Sequence, residues 1–151
     1  MLAAEHQVVR HSIGDQMARQ LIPLEGRTFA GVRYERESET WVFSFFGGIV
    51  LRVDAAWRVR MGTRILLGWR DDGQRFGKDA SVDLAAEVSA AFELAPVTSA
   101  EASDESGDLR VSFANGAALE LFNDSGGYEG WELNHARGGT IAQGGGRVVD
   151  V

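Results

Sequence analysis

Nine consecutive residues, Asn123, Asp124, Ser125, Gly126, Gly127, Tyr128, Glu129, Gly130 and Trp131, hold the densest set of chemically capable side chains in the chain. Asn, Asp and Ser ahead of paired glycines form turns whose side chains bond their own backbone, and the amides of such turns suit an anion. Asp124, Tyr128, Glu129 and Trp131 are therefore candidate binding residues. Glu129 lies two positions before Trp131, hence on the same face of any strand there, and a carboxylate that near a core needs an Arg or several amides. The expectation is a structural carboxylate whose change to Gln would cost roughly 1–3 kcal/mol.

A second constellation is basic. Arg52, Arg58, Arg60, Arg64, Arg70, Arg75 and Lys78 fall within 27 residues, interleaved with Trp57, Trp69 and Phe76. Charges at alternate positions of a half-buried strand read as its solvated face. The competing reading is a pocket between sheet and helix, lined by Trp57, Trp69 and Tyr128, in which Arg58 or Arg60 holds an anion.

Catalytic motifs fail by their spacing. The stretch Gly73 to Lys78 is one residue short of a phosphate loop, and Asp79 stands where a hydroxyl would hold magnesium. No Ser sits in a Gly-x-Ser-x-Gly elbow and the chain has no Cys, which removes thiol nucleophiles and Cys-ligated zinc. His6 and His11, five apart, do not share a helical face, and His135 falls in a polar turn after the Trp131 strand. The expectation is no catalytic set, no metal and no cofactor.

The elements that must position these residues are mostly strands. Leu109, Val111 and Phe113 alternate with Arg110 and Ser112, and Ala117, Leu119 and Leu121 alternate with Ala118 and Glu120, so they form a half-buried antiparallel pair. Asn115-Gly116 predicts a type I′ connection between them, as Gly47-Gly48 does for an earlier hairpin. That first hairpin is more apolar: Trp41, Phe43 and Phe45 on one face are joined by Val42 and Phe46 on the other, predicting cover on both sides. Trp57 and Trp131 each open a further strand, and residues 64–70 form another. Ser81 as N-cap, the apolar spacing of Leu84, Val88, Ala91 and Phe92, and Pro96 predict a helix over 81–94. A shorter helix is expected over 15–21, and 138–146 reads as Gly-rich loop around one short strand.

Residues 29–53 set against 97–121, a constant shift of 68, align without a gap. Ser44 and Phe45 meet Ser112 and Phe113, Gly48 meets Gly116, and Leu51 meets Leu119. This is the signature of internal duplication. The fold class expected is α+β, one domain in which two hairpin repeats form a mainly antiparallel sheet or partly open barrel with one packed helix. Its parts are an N-terminal extension (1–23), repeat one (24–70), a linker with the helix (71–96) and repeat two (97–146).

Val97-Thr98, the Gly107-Asp108-Leu109 hairpin start, the Phe113 to Gly116 turn, Tyr128-Glu129-Gly130-Trp131-Glu132-Leu133 and Gly144-Gly145 occur in an order that resembles a family of small uncharacterised bacterial proteins. That family is a domain of unknown function marked by a Tyr-Glu-Ala-Trp signature. The resemblance spans residues 24–147. Gly130 departs from the signature's Ala, Gln143 stands where Pro is common, and the residues to Pro23 are extra. The resemblance implies a fold but no activity or catalytic residues.

Composition bounds the function. The 151 residues are 44% apolar and carry a formal charge of −7, enough chain for one real core. Up to Arg75 eleven Arg face nine acids, and beyond it four basic residues face thirteen acids. An acidic chain repels a phosphate backbone, so nucleic acid is not the expected partner. No apolar run approaches the roughly 20 residues of a membrane span, and no basic-then-apolar leader opens the chain, so a cytoplasmic location is expected. The reading that follows is an acidic binding protein for a basic protein partner, of immunity or antitoxin type. A small-molecule enzyme or ligand carrier and a homodimeric structural module are the alternatives.

Overall fold

The computed structural model describes residues 8–10 and 17–151. Alternating apolar and polar residues dominate, and thirteen strands form among the described residues. The first half contributes β1 (Val8–Arg10), β2 (Met17–Gln20), β3 (Phe29–Glu35), β4 (Thr40–Phe45), β5 (Ile49–Val53), β6 (Ala56–Met61) and β7 (Arg64–Gly68). After helix α1 (Leu84–Phe92) come β8 (Val97–Ser103), β9 (Leu109–Phe113), β10 (Ala117–Phe122), β11 (Trp131–His135), β12 (Gly138–Ala142) and β13 (Val148–Asp150).

The strands form two antiparallel sheets, ordered β1-β2-β8-β9-β10-β6-β7 and β13-β12-β11-β5-β4-β3. Their inner faces share one core: Phe43, Leu51, Val53, Trp131 and Leu133 from one sheet, and Trp57, Val59, Val111, Leu119 and Leu121 from the other, are each 2% exposed or less. Trp57 meets Phe43 edge-on across the gap, with centroids 5.0 Å apart. The architecture is thus α+β with two stacked open sheets, not the partly closed barrel that was one expectation. Helix α1 contacts edge strand β3 of one sheet and β6 and β7 of the other. There Phe92 stacks on Phe113 at 4.0 Å and meets Phe29 at 5.2 Å. At the far end Arg19 Nη1 of β2 lies 3.4 Å from the Asp150 carboxylate of β13.

The two halves exchange strands. β3, β4 and β5 form one meander and β8, β9 and β10 the other, with strand starts 68 apart at β3/β8 and β5/β10. Register slips fall at Phe29/Gly31 and at Val97/Ser99, again 68 apart. β6, following the first meander, pairs with β10 of the second, where Trp57 faces Leu121. β11, following the second, pairs with β5 of the first, where Trp131 faces Val53.

Several local expectations are corrected. Residues 17–20 are strand, not helix: Met17 and Leu21 have helical spacing, but Ala18 and Gln20 find ladder partners in Ser103 and Glu101 of β8. Residues 15 and 16 lie outside the described residues. The helix starts at Leu84 with Asp83 as N-cap, its side chain accepting from Ala86 N at 3.2 Å, so Ser81 is not the cap. Gly47 and Gly48 both have positive φ, but at the second turn only Gly116 does. Asn115 instead donates Nδ2 to Ala91 O and accepts from Ala117 N, giving a turn closed by Gly116 N to Phe113 O rather than a type I′ pair. Val42 is buried as expected, whereas Phe46 lies past the end of β4 and is 62% exposed.

Candidate binding face

One end of the two-sheet stack gathers the turn between β3 and β4, the connection from β5 to β6, the segment after β7 and the long link from β10 to β11. Because β11 pairs with β5, Asp54 N donates to Gly130 O at 2.9 Å, which places residues 123–130 beside the end of β5. Two adjoining clefts result. One, about 340 Å³, is lined by Tyr34, Trp41, Trp69, Glu39, Asp54 and Asp124 among others. The other, about 850 Å³, shares Glu39, Asp54 and Asp124 and adds Tyr128, Glu129 and Arg52.

The rings are held in place. Trp41 packs edge-on against buried Trp57 at 5.3 Å, and Tyr34 lies on Trp41 at 4.9 Å. Trp69 already carries the Arg70 guanidinium 5.6 Å above its ring. Asp54 is positioned by Thr40 Oγ1, which donates to its carboxylate at 2.5 Å. Arg52 is committed to Glu35 at 2.7 Å, and Arg33 reaches the other oxygen at 2.8 Å. The Arg52 guanidinium, helped by Arg33, holds the Glu35 carboxyl below the usual carboxylate range, while Glu35 raises Arg52. With Arg52 neutralised, Glu39, Asp54, Asp124 and Glu129 leave the face negative. Aromatic walls with surplus carboxylates suit a guanidinium or ammonium group.

The link of residues 123–130 is built around Asn123. Its Nδ2 donates to Ser106 O and Gln143 O, both at 3.0 Å, and its N–H to Asp108 at 2.8 Å. A Cβ on Gly144 would lie 2.4 Å from the Gly127 backbone, so the two segments touch through their main chains. Ser125 Oγ accepts from Gly127 N and Tyr128 N, the side-chain-to-backbone turn expected there. Glu129 is different. It is exposed and makes no hydrogen bond or ion pair among the described residues, because the strand begins only at Trp131 and Ser125 already satisfies the loop amides. The structural-carboxylate expectation for Glu129 is therefore wrong.

Of the candidate residues, Asp124, Tyr128, Glu129 and Trp69 converge on this face. Trp57 and Trp131 are core residues, each 1% exposed, and Trp131 Nε1 donates to Gly107 O at 2.7 Å. Arg58 and Arg60 lie on the outer face of the seven-stranded sheet against Glu120. The expected pocket between sheet and helix is filled by Leu84, Val88 and Phe92, so it brings none of its residues together. Tyr34, Trp41, Glu39 and Asp54 were missed, and Trp41 reads in the sequence as strand alternation. His135 is the last residue of β11 rather than a turn residue, and its Nδ1 accepts from Arg137 N. His6 and His11 lie outside the described residues. Among the described residues no group of three potential metal ligands is found, and no helix is long and apolar enough to cross a membrane.

The model of a family of unknown function, DUF6188, matches residues 36–151. The match starts later than the resemblance suggested and runs to the last residue. No curated protein and no solved structure matches the chain.

Proposed function

The chain belongs to the family of unknown function DUF6188, a membership that assigns no activity, and we propose that it is a binding module whose aromatic, acid-rich face takes up a cationic segment of a protein partner. The observation carrying this reading is the pair of clefts that share Glu39, Asp54 and Asp124, one of them walled by Tyr34, Trp41 and Trp69. An Arg or Lys side chain would lay its stem on the rings and its charge against the carboxylates. The net charge of −7 adds long-range steering toward a basic surface. A basic toxin neutralised by an immunity-type protein is one partner of that chemistry. A second copy of this chain is another, because Arg58, Arg60 and Arg110 stand together on the outer face of the seven-stranded sheet and would suit the acid-rich clefts.

We also read the halves as descendants of one copied unit. The coincident register slips and the reciprocal pairing of β6 with β10 and β11 with β5 support it.

Tryptophan emission tests the binding reading. An Arg-rich peptide should change it saturably at low ionic strength, and about 1 M salt, where screening acts within about 3 Å, should abolish the change. An acidic peptide giving the same change would contradict the reading.

A further inference from the structure

The outer face of the seven-stranded sheet holds a different charged arrangement. Glu120 stands on β10 between Arg110 of β9 and Arg58 of β6, directly opposite both. Its Oε1 accepts from Arg58 Nε at 2.7 Å and lies 3.2 Å from Arg60 Nε, while Oε2 accepts from Arg110 Nε at 3.2 Å. The Glu120 side chain is 7% exposed, whereas the three Arg side chains are 29–36% exposed. Phe122 supports Arg58 from below, 5.0 Å from the guanidinium carbon.

One buried carboxylate therefore gathers three guanidiniums, and all three approach it through Nε. Their terminal Nη groups make no hydrogen bond among the described residues. Glu101, across from Arg110 on β8, is the neighbouring acid, and counting it still leaves the cluster positive on a strongly acidic protein. A face that only kept the protein soluble would not need three cations on one hub. Like charges held together repel, and an incoming anion relieves that repulsion.

We propose that Arg58, Arg60 and Arg110 form a binding site for a phosphate-type dianion, oriented by Glu120. A tetrahedral dianion offers oxygens to several guanidinium forks at once, which a single carboxylate does not. Glu120 is a positioning residue: by accepting from the Nε of Arg58 and Arg110 and pairing with Arg60 at 3.2 Å, it leaves the Nη edges to the ligand and limits the side-chain entropy lost on binding. The ligand's source is either free phosphate or a phosphorylated side chain.

Titration of inorganic phosphate into the full 15N-labelled chain, watching the Arg Nε–Hε signals, tests the site. Saturable shifts are expected for Arg58, Arg60 and Arg110 but not for Arg33 or Arg52, and chloride at equal ionic strength should not reproduce them. Arg60→Gln should weaken binding about tenfold or more, as expected for losing a hydrogen bond to a charged group. Should that variant fold poorly, Arg110→Lys, which keeps the charge but loses the fork, should also bind more weakly. A parallel titration with O-phosphoserine separates the sources: tighter binding marks a phosphorylated side chain, equal binding free phosphate. Shifts linear in phosphate, or matched by chloride, would overturn the proposal. So would a single-stranded oligonucleotide that shifts the same signals at lower concentration than phosphate.

Discussion

Glu129 and Asn123 sit six residues apart in one loop and do opposite work. Glu129 is exposed and has no partner among the described residues, so Glu129→Gln should move stability by no more than about 0.5 kcal/mol. The Asn123 side chain joins Ser106 and Gln143 by two hydrogen bonds, so Asn123→Ala should cost about 1–3 kcal/mol. Thermal melts of both variants check this, and a large loss in Glu129→Gln would restore the structural role that its spacing from Trp131 first suggested. Glu35 sets a pH dependence. Its carboxyl binds a proton less readily in the folded than in the unfolded chain, because Arg52 and Arg33 favour the charged form. The stability this contributes is full above the ordinary Glu value of about 4.3 and is lost as pH falls below it through the lowered native value. Denaturation followed from pH 6 downward should therefore show a steeper loss in wild type than in Glu35→Gln, and parallel curves would contradict the assignment.

Among the elements, the helix is the sharpest test. Asp83→Ala removes the side chain that caps Ala86 N and should cost about 1 kcal/mol, whereas Ser81→Ala should cost almost nothing. Equal losses on urea denaturation would put the cap back at Ser81. The hairpins were legible because alternation has one meaning when a core covers one face, as Leu109, Val111 and Phe113 show. β2 was not, because Met17 and Leu21 satisfy a helical spacing and only pairing with β8 decides against it. β13, three residues beside a glycine cluster, carries too few side chains to signal a strand. The binding face was half legible. Asp124, Tyr128, Glu129 and Trp69 stand in polar or turn surroundings, but Tyr34 and Trp41 look like ordinary strand residues, and only the exchange of β6 and β11 brings their neighbourhood to residues 123–130.

For the whole molecule, the strand exchange also distributes charge. Arg52 faces Glu132 where β5 meets β11, and Glu120 faces Arg58 where β10 meets β6, so corresponding seams carry reversed pairs. Around Arg52 gather Glu35, Asp54 and Glu132; around Glu120 gather three arginines. The excess of acid along the second half of the sequence therefore does not map onto one side of the fold, since Arg110 joins the basic cluster and Glu39 and Asp54 join the acidic face. That acidic, aromatic face is the centre of the functional reading. Calorimetric titration of an Arg-rich peptide at low ionic strength, comparing wild type with the Glu39→Gln, Asp124→Asn double variant, tests it most directly. Both side chains are exposed and outside the core, so the melting midpoint should hold while affinity falls at least about tenfold, roughly 1.4 kcal/mol. Equal affinity in the two proteins, or no binding by wild type, would contradict it.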